Sequence, residues 1–149
     1  IKNFEEIIKT NLNGTFYCSH EAINKLKKSK SASIINISSI NAYMGFPKNP
    51  GYVSSKGAIL SLTRSLALDY AKFGIKVNSI SPGYIRTGMT LTSYKSQKKR
   101  ILRQKRTMVN RWGEPKDLFG VIEFLISNKS NYINGQDIIV DGGWKSKGL

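Results

Sequence analysis

Helical stripes alternating with short β-branched runs predict an α/β fold built on a parallel sheet, and three features carry that expectation. Ser33 to Ser38 and Ile75 to Ser81 are compact apolar runs, each preceded by a long stretch with apolar residues at helical spacing. A third run, Ile138 to Val140, follows another helical pattern. Strands separated by helices of this length imply crossover connections and a sheet covered on both faces.

The elements follow in order. Phe4, Ile7, Ile8, Leu12, Phe16, Ile23 and Leu26 recur near helical spacing, and Lys25, Lys27 and Lys28 suit the negative end of a helix there. Ile34, Ile35 and Ile37 read as a buried strand. Gly45, Pro47, Pro50 and Gly51 mark a loop. A second helix is expected from about Tyr52 to Phe73, with Leu62, Leu66 and Tyr70 on one stripe and Gly74 closing it. The next strand ends at Pro82-Gly83, and the lysine-rich stretch from Thr92 to Arg106 is expected to be helical only in part. Pro115 opens a helix running through Leu118, Val121, Ile122 and Leu125, and Asp141, Gly142 and Gly143 follow the last strand.

Three strands are few for such a sheet, and no G-x-G-x-x-G cluster lies between a strand and a helix. The expected architecture is therefore the second half of a Rossmann-type doubly wound sheet, a partial single domain over 1–149 with its amino-terminal βαβαβ half absent. Without that half, independent folding and activity of the chain are not expected.

Composition narrows the function. Hydrophobic residues at 40% and charged residues at 22% fit a globular protein with a core. No run approaches the ~18 apolar residues of a membrane span, and no leader-like segment opens the chain, so no membrane association is expected. A single Cys18 excludes an internal disulfide and is read as a small buried helix residue in a reducing, cytoplasmic protein. With one His and one Cys, no metal site of the usual ligand types is expected. The net charge of +15, from 24 basic and 9 acidic residues, invites a nucleic-acid reading. The sequence offers no recognition module and no interleaved aromatic series to support it, so no nucleic-acid partner is expected.

Two Tyr–Lys pairs at i, i+4 compete as a proton-exchange site. A phenol with a reference pKa of ~10 is a poor base near neutrality, and an adjacent ammonium favours its phenolate. Tyr52 and Lys56 have Ser39 thirteen residues upstream; Tyr94 and Lys98 have Ser81. Context favours the first pair. Tyr52 opens a helix whose small residues Ser54, Ser55, Gly57 and Ala58 would admit a flat cofactor, and Ser39 ends a strand where ligands bind in open sheets. Tyr94 sits among Lys95, Lys98, Lys99 and Arg100 and is read as a solvated surface tyrosine.

The runs IINISS, YVSSK and VNSISPGYIRT, with Asn11 in TNLNG, resemble the short-chain dehydrogenase/reductase family, as do the tail segments RWGEP and NGQDIIVDGGW. The resemblance implies an oxidoreductase that interconverts a secondary alcohol and a ketone with NAD or NADP. It makes Tyr52 the general acid/base and a cofactor contact, with Lys56 lowering its pKa and holding the nicotinamide ribose. Ser39 would orient the substrate oxygen and Asn11 a relay water, while Pro82, Gly83, Ile85 and Thr87 would contact the cofactor. It further implies a small-molecule substrate and a homo-oligomer, dimer or tetramer, for the complete protein. Phe16, Leu62, Leu66 and Tyr70 are candidate contributors to the subunit contact or, equally, to the core.

Within the family, PGYIRTGMT, RTMVNRWGEP and VDGGW look most like gluconate 5-dehydrogenase-type sugar-acid enzymes, with Gly88 departing from the acidic residue frequent there. Reduction of 3-oxoacyl thioesters is the alternative substrate reading. An inactive fragment serving as an oligomerising or basic nucleic-acid-binding module is the alternative of another class. Seven basic residues, Lys95, Lys98, Lys99, Arg100, Arg103, Lys105 and Arg106, fall in the region that forms a substrate lid in the family. They are read first as a solvated face and second as an attractor for an acidic substrate.

Overall fold

The computed structural model describes residues 1–147. Three strands, β1 (Ala32–Ile37), β2 (Ile75–Pro82) and β3 (Asp137–Val140), form one parallel sheet in that spatial order. The register pairs Ile37 with Ile80 and Pro82 with Val140, so all three carboxyl ends lie along one rim of the sheet. Among the described residues β1 pairs only with β2.

Helices α1 (Lys2–Ile8) and α2 (Gly14–Leu26) are joined by a π-helical turn at Lys9–Asn13, so the single long stripe expected from sequence is one helix with a bulge. Helix α3 (Pro50–Ala71) begins with Pro at its first position, where the missing N–H is no loss. It ends before Gly74, whose φ of 70° reverses the chain into β2. The lysine-rich stretch, expected to be helical only in part, is helical throughout except at Ser96, as α4 (Leu91–Lys95) and α5 (Gln97–Arg106). Helix α6 (Phe119–Ile126) follows a 3₁₀ turn at Pro115–Leu118.

Alternation along β2 divides the two faces of the sheet. Ile75 and Val77 point to one side, into a core with Ile23 of α2 and Leu66, Ala67 and Tyr70 of α3. Leu26, Ile34 and Leu62 pack against that core. Lys76 points to the other side, where its Nζ donates to Ser127 O at 2.7 Å and Ser130 Oγ at 2.8 Å, just past the carboxyl end of α6. Burial pushes the Lys76 ammonium below its ordinary pKa, and the helix-terminal carbonyl supplies favourable potential.

Several sequence expectations change here. Cys18 is exposed on α2 rather than buried. Ile34 and Ile35 are only half-buried and Ile37 is 47% exposed, because β1 stands at a sheet edge among the described residues. Leu66 and Tyr70 lie within the core of this chain, whereas Phe16 stays exposed on α2.

Leu66 is 3% exposed at the centre of the α3–sheet contact. Leu66→Ala should lower unfolding free energy by about 2–5 kcal/mol through lost burial and a residual cavity, measured by urea denaturation.

Candidate active site

The carboxyl end of β1 is tied to β2 by one hydrogen bond and to α3 by two. Ser38 N donates to Ile80 O at 2.8 Å, holding the chain to β2 one step past the strand. Ser38 Oγ donates to the Lys56 carbonyl at 2.8 Å, and Lys56 Nζ returns to Ile37 O at 2.8 Å. The strand end and the second turn of α3 therefore hold each other. Ser39, the next residue, is extended and 7% exposed; its Oγ accepts from Asn41 N at 3.2 Å and caps a short 3₁₀ turn. Its hydroxyl proton has no acceptor among the described residues.

Tyr52 lies one turn before Lys56 on α3, with the Lys56 Nζ 5.6 Å from the centre of the phenol ring. Lys56 is half-buried, and desolvation pushes its pKa down. Only Ile37 O accepts from its ammonium among the described residues, which leaves two N–H groups for a ligand.

Asn11 sits in the π-helical turn, a distortion that often marks functional sites. Its Nδ2 donates to Ser55 Oγ at 3.0 Å, and Ser55 Oγ donates to Tyr52 O at 2.8 Å. Ser55 is completely buried. The sequence treats it as a small residue leaving room for a cofactor; it is instead the link that locks α3 against the bulge. Thr15 Oγ1 donates to Asn11 O at 2.7 Å, steadying the backbone there.

Beside them, without Lys56 in its wall, lies a cavity of about 590 Å³, within the range of small-molecule sites. Asn11, Ser39 and Tyr52 line it, together with Gly83 and Tyr84 after β2 and Met89, Thr90 and Ser93 from the lid. Of the four cofactor candidates at and after the end of β2, only Gly83 reaches the cavity wall. A Cβ on Gly83 would stand 2.8 Å from the Asp141 Cα, so the segments after β2 and β3 pack too closely for any side chain. Pro82 ends the strand opposite Val140. Ile85 is buried in a bridge to Gly113. Thr87 is exposed and caps the next turn, its N–H donating to Thr90 Oγ1 at 3.0 Å.

The second Tyr–Lys pair dissolves structurally. Ser96 breaks the chain between α4 and α5, with extended backbone, so Tyr94 and Lys98 share no helix. Tyr94 is not solvated as expected: it is half-buried edge-on against Trp112 at 5.2 Å, with the Arg86 and Arg100 guanidinium groups each 5.5 Å from its ring.

The basic run is likewise sorted by helix face. Lys95, Lys98, Lys99, Lys105 and Arg106 are exposed, whereas Arg100 and Arg103, three apart on α5, turn inward. Arg103 lines the cavity, with its guanidinium 4.5 Å from the centre of the Tyr84 ring and Nη1 donating to Ser93 Oγ. Nothing in the sequence separates it from its neighbours except its phase on a helix.

The RWGEP segment anchors the lid. Trp112 is 6% exposed and its Nε1 donates to Arg100 O at 3.0 Å, pinning α5. Arg111 grips both Asp117 oxygens, at 2.7 and 2.8 Å, and Asp117 also accepts from Glu114 N at 2.7 Å. The Arg111 guanidinium holds the Asp117 carboxyl well below the usual carboxylate range.

Among the described residues no group of three or more His, Cys, Asp or Glu side chains is arranged to hold a metal, and no helix is long and apolar enough to cross a membrane.

A strand-end serine and a Tyr–Lys pair thus stand together at the carboxyl rim of a parallel sheet. A family model described as enoyl-(acyl carrier protein) reductase matches residues 1–145, and the chain belongs to this short-chain dehydrogenase/reductase family. It is 38% identical over 149 residues to 2-dehydro-3-deoxy-D-gluconate 5-dehydrogenase of Dickeya dadantii, covering 98% of this chain and 58% of that protein. The 3-oxoacyl-[acyl-carrier-protein] reductase of Staphylococcus epidermidis is 36% identical, covering 95% of this chain and 57% of its own length. A crystal structure of gluconate 5-dehydrogenase from Burkholderia cenocepacia in complex with NADP and tartrate superposes with a TM-score of 0.93 at 31% identity, covering 99% of this chain and 58% of that one. The chain thus spans a little under three fifths of the length of these relatives.

Asp117 yields a pH-dependent prediction. Its pKa is depressed in the fold, so its ion pair contributes stability above the unfolded value of ~3.9 and loses it as pH falls further. Asp117→Asn should be less stable than the parent by a constant margin at pH 6–8. That margin should shrink below about pH 4, measured by urea unfolding across pH.

Proposed function

We propose that this chain carries the proton-transfer and substrate-binding part of an NAD(P)-dependent oxidoreductase that interconverts a secondary alcohol and a ketone, with a sugar acid or similar small polar molecule as substrate. The observation that carries the reading is the reciprocal hold of Ile37, Ser38 and Lys56, which puts Ser39 and Tyr52 on one cavity wall. Ser39 would donate its free hydroxyl proton to the substrate oxygen. Tyr52 would exchange the alcohol proton, with the Lys56 ammonium 5.6 Å from the centre of its ring. Asn11, through Ser55, would keep the first turn of α3 in place under both.

The residues fit a nicotinamide cofactor: Lys56 keeps two N–H groups for ribose hydroxyls, and Gly83 contributes a side-chain-free wall. When bound, that cofactor supplies the hydride. The sugar-acid reading is supported by the 38% identity to a 2-dehydro-3-deoxy-D-gluconate 5-dehydrogenase and the likeness to a gluconate 5-dehydrogenase solved with NADP. A 3-oxoacyl thioester reductase is the second reading, supported by the 36% identity to such an enzyme. A homo-oligomeric complete protein is supported by Phe16 and Tyr17, both exposed on α2 with their rings 5.9 Å apart.

Fluorescence titration of the complete protein with NADH and NADPH tests cofactor binding. Saturable binding of either is expected, and binding of neither would remove the reading. In the active protein, Tyr52→Phe should cut kcat by about 10²–10⁴-fold while NAD(P)H affinity changes little, since only a proton-transfer hydroxyl is lost.

A further inference from the structure

Resting on the oxidoreductase reading of this cavity, we propose that Arg103 binds the carboxylate of the substrate and sets its specificity for an acid. Arg103 lies in none of the segments on which the family resemblance rests. It is held as a receptor side chain would be. Tyr84 supports the guanidinium plane, Ser93 fixes one nitrogen, and Trp112 pins the helix from which it projects. All of Tyr84, Ser93 and Arg103 line the cavity that contains Ser39 and Tyr52.

What the arginine lacks is an anion. Its Nε is buried with no hydrogen-bond partner, and its Nη2 makes no hydrogen bond among the described residues. The ion pairs among those residues belong to Arg86, Arg111 and Lys116, not to Arg103. Glu6 also lines the cavity but does not pair with it. An arginine cannot escape this state by losing its proton, because its pKa exceeds ~12. A charged group left short of acceptors in a partly desolvated site costs free energy that an incoming carboxylate recovers. The planar guanidinium matches a carboxylate in a forked geometry that a lysine lacks.

The chemistry then selects between the two substrate readings. A hydroxy or keto acid carries its carboxylate on the same short carbon chain as the reacting centre, inside a 590 Å³ cavity. A 3-oxoacyl thioester presents a neutral ketone and a neutral thioester there. Arg103 has a role with the first and none with the second.

The experiment uses the active protein and compares turnover of gluconate, 2-dehydro-3-deoxy-D-gluconate and tartrate with that of gluconamide and a 3-oxoacyl thioester. For whichever acid is turned over, Arg103→Ala should lower kcat/KM by about 30-fold or more, mostly through KM, as expected when one partner of a desolvated charge pair is removed. Loss on the acid should exceed loss on the amide by at least tenfold, and Arg103→Lys should recover only part of it. Should either variant fail to fold, the unsubstituted protein still decides. With NAD(P)H present, a turned-over acid should raise Tm and its amide should not. Equal losses on acid and amide, equal Tm shifts, or turnover of the thioester with no acid accepted would each overturn the assignment while leaving the oxidoreductase reading intact. Failure to bind NADH or NADPH would instead remove that reading, and this assignment with it.

Discussion

The mutual hold between the end of β1 and the second turn of α3 is the constraint on which the site depends. A strand end and a helix start separated by a twelve-residue loop have no covalent reason to keep a fixed distance. Here the distance is set from both sides. Ser38 uses its side chain on a backbone carbonyl of the helix, and Lys56 uses its side chain on a backbone carbonyl of the strand. Because Ser38 N is also bonded to β2, the clamp is referenced to the sheet rather than to the loop. Ser39 and Tyr52 inherit that precision without bonding to each other.

The order and type of the elements are legible in the chain because burial imposes a period that composition cannot hide. Ile75, Val77 and Ile80 read as strand because a short β-branched run lies between Gly74 and Pro82, and Gly74 takes the positive φ of the turn before it. What sequence misses is direction. Ser55 reads as a small residue for a cofactor to lie against, yet it faces inward and bonds Asn11; a hydroxyl's small size and its bonding capacity look the same in one dimension. Cys18 reads as buried because thiols usually are, but its phase on α2 turns it outward. Of the family's cofactor segment after β2, the glycine reaches the cavity, while Ile85 and Thr87 have local structural partners. Motif membership shows that a segment recurs, not which of its atoms point at a ligand.

The basic stretch shows the same limit from the side of charge. Net charge counts lysines and arginines alike, but α4 and α5 divide them by helix face and by chemistry. Five cations face outward, where salt screens them and each contributes little beyond solubility and weak long-range attraction. The two that turn inward are both arginines, and both lie over tyrosine rings, a placement that suits a flat, weakly hydrated cation better than an ammonium. Arg100 packs on Tyr94 while its backbone carbonyl accepts the Trp112 bond; of the two, Arg103 is the one that lines the cavity, its Nε without a partner.

The lid and the sheet are thereby coupled through residues that do no chemistry. Trp112 holds α5, the Arg111–Asp117 fork holds the turn into α6, and Gly113 bridges to Ile85 just after β2. The Met108 N–H reaches Gly142 O at 2.7 Å, joining the foot of the lid to the turn after β3. A displacement of α5 would therefore strain contacts to the ends of two strands, and those strand ends form the rim on which Ser39 and Gly83 stand. The position of a substrate group bound by the lid is in this way referenced to the same sheet that positions Tyr52. On the proposed reading, an arginine on α5 fixes one end of a substrate while the strand-end serine and the tyrosine meet the other.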